Sequence, residues 1–577
     1  LSIRMRSPLV VAVLLGCALL VQGYYRLTPL SYLQLPTSLS KGAPLYQGLN
    51  RDAAIAAVYD YHYNILYVIG QANHLLHVID VANPSSPNLL FTHEFEPTVG
   101  VPRSIAVCDN EVAVGFGAQT NVHEGHVRLY HTYVRGSGDT ALHLDGYITV
   151  GPSPDHMQFT ENCLTLVIPN EGTAGKDEAG RYVDPEGTVA IMQTARTGNP
   201  SIKHVDFQEF NHGELRYNPN IRQPSLYIPT SVHSTATSFS QDVEPTYAAL
   251  ASNNKYAWVT LPTNNAIAKV DIASGVVTEV DPLPLKDWTS YEIDASDRDG
   301  GVHRRVYPGL KTLRQPTVIK ALDIGRKTYL FVADTGAART YTSAQHTFAW
   351  TDSILAKSTV NSIDNAALKA EASNDEHLGR LQVSSIDGKD FRGAYSELVG
   401  FGGRGFSVWD TSNFAAPVFD SDGTLEQYME DNYKEVFNTD YVANTAAYQS
   451  PEILRDYVSD NMGAQVTAMD IKEDNDTTFL VVGTWSTGTL YVYVINSTSG
   501  PPVPSFQSIY RAGVTDMPWN DLYSQKVAGD LHISDLSIIP SDHSPIDKPL
   551  VYVIGRGSGS VSLYEIDYVT TNVGDDN

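Results

Sequence analysis

The sequence has 577 residues, with 39 Lys+Arg against 65 Asp+Glu and a formal net charge of −26. Charge of this sign repels phosphate backbones and anionic membranes, so nucleic acid is excluded as a partner class. The 33 Tyr, 17 Phe and 6 Trp along the chain exclude an acidic disordered protein, which carries few aromatics.

The first feature in chain order is an address. Arg4 and Arg6 precede an apolar run over 9–20 and then Val21-Gln22-Gly23, the pattern of a signal peptide over 1–23 with Met5 as initiator and cleavage near Gly23. Its removal leaves 37 basic residues against 65 acidic ones, a charge of −28. The run is short for a bilayer span, and the acidic tail at 570–577 lacks the apolar stretch of a lipid-anchor signal. A secreted protein without a membrane anchor is therefore expected. Cys17 leaves with the signal, and Cys108 and Cys163 remain as an even pair that an oxidising compartment would join. Asn475-Asp-Thr477 and Asn496-Ser-Thr498 are glycosylation sequons.

From Ala53 onward one unit recurs: an alternating apolar run, a polar turn, a second run rich in Val, Tyr and Leu, a Gly/Asn turn and a third run. Copies begin near 53, 104, 157, 247, 318, 397, 466 and 536. Runs of period two bounded by Gly, Asn, Asp and Pro are strands, and three or four strands per repeat make a propeller blade. The fold class is all-β, a single β-propeller over 24–569, with eight blades if every copy is one and seven if the fifth and sixth copies share strands. The last copy supplies only three strands, so Arg26 to Leu35 is expected to close the ring as its outermost strand. Irregular segments near 211–243, 341–378 and 424–462 interrupt the repeat and let it resume, as inserted loops do.

No catalytic signature sits in its required setting. Gly400-Phe-Gly402-Gly-Arg-Gly405 has the spacing of a dinucleotide fingerprint, but it joins two strands where that loop must enter a helix, so it reads as a bent hairpin. Acidic loops are the better signal. Asp294, Asp297 and Asp299 precede Gly300-Gly301, and calcium, which takes six to eight oxygen ligands, is served by clustered Asp on a Gly-bent loop. Asn170 and Glu171 with Asp184 and Glu186 form a second candidate set, brought together across a loop, and Asp420 with Asp422 a weaker third.

Pro154-Asp-His-Met-Gln-Phe-Thr160, Asn170-Glu-Gly172, Val183-Asp-Pro-Glu-Gly-Thr-Val189, Leu285-Lys-Asp-Trp288, the 294–301 loop and Phe401 to Asp410 occur in this order. As an ordered set they resemble the mesenchyme-specific cell-surface glycoproteins of biomineralising animals, whose repeat region is called the choice-of-anchor I domain, over roughly 53–566. The resemblance implies an extracellular propeller of calcified skeleton or shell matrix. Bacterial relatives carry phosphatase-like or phytase-like labels. This chain departs from the family pattern at Ala333 to Arg339, Gly463 to Val466 and His532 to Leu536, where family carboxylates are missing. That favours binding over catalysis. The expected function is a secreted acidic matrix protein that binds calcium, a mineral surface or other extracellular matrix proteins. The alternatives are a metal-dependent extracellular phosphohydrolase and a self-assembling structural protein.

Overall fold

A computed structural model describes residues 22–194, 201–229, 237–341, 350–496 and 500–571. Of the expected signal peptide over 1–23, residues 1–21 lie outside the described residues, as do residues 572–577 of the expected tail over 570–577. Seven four-stranded antiparallel sheets follow one another as blades over 56–94, 101–149, 158–205, 248–282, 316–420, 466–511 and 533–571. The seventh takes its fourth strand from the start of the chain. Gln22–Gln34 pairs antiparallel with Ser560–Thr571, Leu27 opposite Ile566 and Tyr25 opposite Tyr568, as the missing strand required.

The count of eight copies resolves to seven blades. Gly405–Asp410 does not open a blade of its own; it pairs with Lys327–Asp334 as the third strand of the fifth. Leu398–Gly400 belongs elsewhere, in a five-stranded accessory sheet with Lys286–Asp287, Leu310–Thr312, Gln382–Ser384 and Ser353–Leu355. The glycine-rich stretch is accordingly no hairpin but a crossing from accessory sheet to blade. Gly402 takes φ +77 there, and a Cβ on it would lie 2.6 Å from the carbonyl oxygen of Thr335, so only glycine fits.

No single core exists; there is one between each pair of neighbouring blades. In Ile65–Gly70, Ile65, Tyr67 and Ile69 pack toward the second blade, while Leu66 and Val68 pack toward the seventh. A strand flanked by blades on both sides must be apolar on both, which is why the second strands read as continuous apolar runs. Outer strands see one neighbour and water, and Leu144–Thr149 alternates accordingly. The accessory sheet has its own core around Trp288, Tyr307, Leu368 and Leu398.

Hydroxyls stitch the blades near the channel. Ser104 Oγ donates to the Pro154 carbonyl (2.6 Å), Thr260 to Thr317 (2.8 Å), Thr335 to Val466 (2.5 Å), Thr467 to Ile533 (2.5 Å) and Ser534 to Ile55 (2.8 Å). Each joins one blade to the next. Register shifts fall beside these positions, at Pro102/Ser104, Pro316/Ile319, Val466/Ala468 and Ile533/Asp535. A bulge there bends the strand and re-aims its side chains toward the next blade and the axis. Cys108 and Cys163 form a disulfide between the second and third blades, with Cα atoms 5.7 Å apart.

Antiparallel order makes the two faces unequal. Turns between first and second strands, such as 61–64, 109–110 and 475–476, lie on one face and are short. Connections between second and third strands, and from each blade to the next, leave from the other. All the long inserts, 206–247, 283–315, 335–404, 421–465 and 512–532, therefore rise on one side of the ring.

Candidate metal centre

Two of these inserts meet over the fifth and sixth blades. Asp294 and Asp299, from the 283–315 connection, and Asp456, from the 421–465 connection, each place a carboxylate oxygen within 4.8 Å of the other two. Asp294 is fully buried and Asp456 nearly so. The local backbone is set by the carboxylates: Asp294 accepts from the amides of Ser296 (3.3 Å) and His303 (2.8 Å), and Asp299 from that of Gly301 (3.4 Å). Asp456 adopts φ +73 and accepts from Ser459 Oγ at 2.5 Å.

The chain carries a strut beneath this cluster. Arg404, in the glycine crossing, is buried and donates to the carbonyl of Asp294 (2.6 Å), to Glu426 (2.8 Å) and to the carbonyls of Ser459 (2.7 Å) and Asn461 (3.1 Å). Glu426 in turn accepts from the amide of Asp294 at 3.0 Å. One guanidinium thus holds both acidic connections without pairing with any of the three carboxylates, and of these Asp299 has His303 Nδ1 at 3.3 Å. Burial pushes the Asp294 carboxyl up to about 7, with Glu426 and Asp299 adding to it. Burial and the Asp294 charge push Asp456 up to about 9. Both carboxyls are raised first by burial and then by neighbouring carboxylates, and a cation bound among them would favour their ionised forms.

Oxygens bound to one calcium ion at about 2.3–2.6 Å lie no more than about 5 Å apart, so this spacing accepts the ion. The donors are hard carboxylates, which suit calcium over a softer metal. Asp297, grouped with Asp294 and Asp299 by sequence, faces away: it pairs with Arg380 (2.6 Å) and Arg298 (3.4 Å). Asp456 was beyond sequence reasoning, since it lies far along the chain in a segment with no local signature.

The second candidate set is spread out. Asn170 donates to the Ile168 carbonyl and Thr188, both at 3.2 Å; Glu171 accepts from Thr173 (3.0 Å); and Glu186 accepts from Gln208 (2.9 Å) and Ser240 (2.9 Å). Asp184 is buried with neither carboxylate oxygen hydrogen-bonded among the described residues. Glu171, Asp184 and Glu186 form no three-ligand group of the kind seen at Asp294. Asp420 is consumed by Arg314 (2.7 Å) and Lys286 (2.9 Å). Asn475 and Asn496 are both exposed and both lie on the short-turn face of the sixth blade.

Fold and loop face together define the class: a seven-bladed propeller whose inserts gather carboxylates on one side. The choice-of-anchor I domain matches residues 55–498, most of the chain, and the chain belongs to that family. Gigasin-3a of Magallana gigas is 28% identical over 196 residues, 33% of this chain and 66% of that protein. The mesenchyme-specific cell surface glycoprotein of Strongylocentrotus purpuratus is 22% identical over 389 residues, 63% of this chain and 46% of that protein. The chain thus spans less than two thirds of either relative. Among solved structures, the WD40 domain of Toxoplasma gondii coronin aligns with a TM-score of 0.43 at 10% identity, over 97% of this chain and 89% of that one. Kuenenia stuttgartiensis hydrazine synthase aligns with a TM-score of 0.41 at 10% identity, over 93% and 100%. Among the described residues no helix is long and apolar enough to cross a membrane.

Proposed function

We propose that this protein is a secreted, extracellular matrix-type propeller that binds calcium through Asp294, Asp299 and Asp456 and meets mineral or matrix partners with its loop-bearing face. The observation that carries the reading is the convergence of three nearly buried carboxylates within 4.8 Å. Family membership, a relative named as a cell surface glycoprotein, the disulfide and the two sequons support the extracellular setting. In a calcium-rich medium a site with a dissociation constant on the order of 0.1–1 mM is occupied, so modest affinity suffices.

Calorimetric titration of the purified chain with calcium tests this. Asp294→Asn and Asp456→Asn are each expected to weaken the site about tenfold or more, whereas Asp297→Asn, whose carboxylate serves Arg380, leaves it within about twofold. Equal binding by all three variants and the wild type would discard the centre.

A further inference from the structure

The axial channel is a second site of different chemistry. It holds about 820 Å³ and is lined by the first strands of six blades and by Thr246 and Tyr247 just before that of the fourth, within the range of about 300–1,000 Å³ that small-molecule sites occupy. Its cations are already matched. Arg103 pairs with Asp155 (2.7 Å), Arg556 with Asp52 (2.7 Å) and Lys320 with Asp470 (3.4 Å). An anionic ligand would find no uncompensated positive charge, and Asp535, also lining the channel, would repel it.

The walls instead offer flat rings and neutral donors. Trp485 lines the cavity with its indole stacked on His532, ring centroids 4.5 Å apart and planes 7° from parallel, and His532 is fixed by Asp440 at 2.5 Å. Across the channel His156 stacks on Tyr247 at 3.4 Å. The amide of Ala248 donates to His156 Nδ1 (3.3 Å), which leaves the proton on Nε2. No described residue accepts from that Nε2–H or from the Trp485 indole N–H. Two ring platforms, free N–H donors and the carboxylate acceptors Asp155 and Asp535 line one open-mouthed cavity. A sugar ring matches this set: its C–H faces lie on aromatic planes and its hydroxyls both donate and accept.

We propose that the central channel of this propeller binds a neutral oligosaccharide, with Trp485 as its stacking platform and His156 and the channel carboxylates as its hydroxyl partners. The site is separate from the acidic centre, so binding is independent of calcium.

The test is to present the full chain to an immobilised panel of neutral and sulfated oligosaccharides of two to six units, with and without a calcium chelator, and to titrate each hit by calorimetry. At least one neutral oligosaccharide is expected to bind in both conditions. Trp485→Ala is expected to weaken it tenfold or more and Trp485→Phe, which keeps a ring, about threefold or less. Should the alanine variant not fold, the wild type supplies the readout: the hit changes its tryptophan fluorescence, and the change is absent in Trp485→Phe. Binding of sulfated glycans alone, binding of nothing on the panel, or affinity unchanged in a folded Trp485→Ala overturns the proposal. Loss of calcium binding with glycan binding intact sinks only the calcium reading.

Discussion

Arg404 and Asp184 show how differently two buried charges are managed. Arg404 and Glu426 are side chains 2% and 1% exposed that satisfy each other and the backbone on both sides. Removing one partner of such a pair leaves an uncompensated buried charge, so Arg404→Met is expected to cost about 3–5 kcal/mol in urea unfolding. It should weaken calcium binding as well, because the carbonyls it holds position both acidic connections. Asp184 is the opposite case. Burial pushes its carboxyl up to about 8; Arg339 pulls it down, and Asp242 and Glu244 push it up again. The folded state keeps a proton that the unfolded chain releases above about pH 4. The stability this proton provides is complete below that pH and is lost as pH rises through about 8. Asp184→Asn removes the titration, so between pH 5 and pH 8 the variant should gain on the wild type by about 2–4 kcal/mol. Parallel stability curves for the two proteins would show that Asp184 is paired and ionised.

At the level of strands and connections, the repeated hydroxyl stitches explain why small polar residues recur at the start of first strands and at the end of second strands. Thr467→Val should cost about 1 kcal/mol, since one interblade hydrogen bond is lost and the Ile533 carbonyl is left without it. The disulfide acts at the opposite face on the same kind of joint. It closes a loop of 55 residues, and Cys108→Ser with Cys163→Ser should lower stability by about 4 kcal/mol. Strands were legible from the residues because a strand between two blades has apolar side chains on both faces, as Ile65 to Ile69 do. The carboxylate cluster was half legible. Asp294 and Asp299 lie in one loop with its glycines, whereas Asp456 reaches them only through tertiary packing around Arg404. The same limit misread Gly405–Asp410, whose blade partner lies across the insert at 335–404.

On the scale of the whole ring, asymmetry between faces organises the molecule. The shorter connections lie on one face, and Asn475 and Asn496 lie there on the sixth blade, whereas the acidic centre rises on the other. If glycans occupy Asn475 and Asn496 they leave the loop face open. Enzymatic deglycosylation is expected to change mass by two glycans and leave calcium affinity unaltered.

The closing pair has a mechanical consequence. Gln22 lies opposite Thr571, and the two strands run antiparallel from there, Gln34 opposite Ser560. A pull applied through Tyr24 and Val569, which lie opposite one another, therefore loads the pair at one end, and its hydrogen bonds are taken one after another instead of all together. The ring would open at the seventh blade by unzipping, at forces well below those that shear a strand lengthwise. Under tension such a clasp yields first, while the other six blades and their interblade cores stay folded.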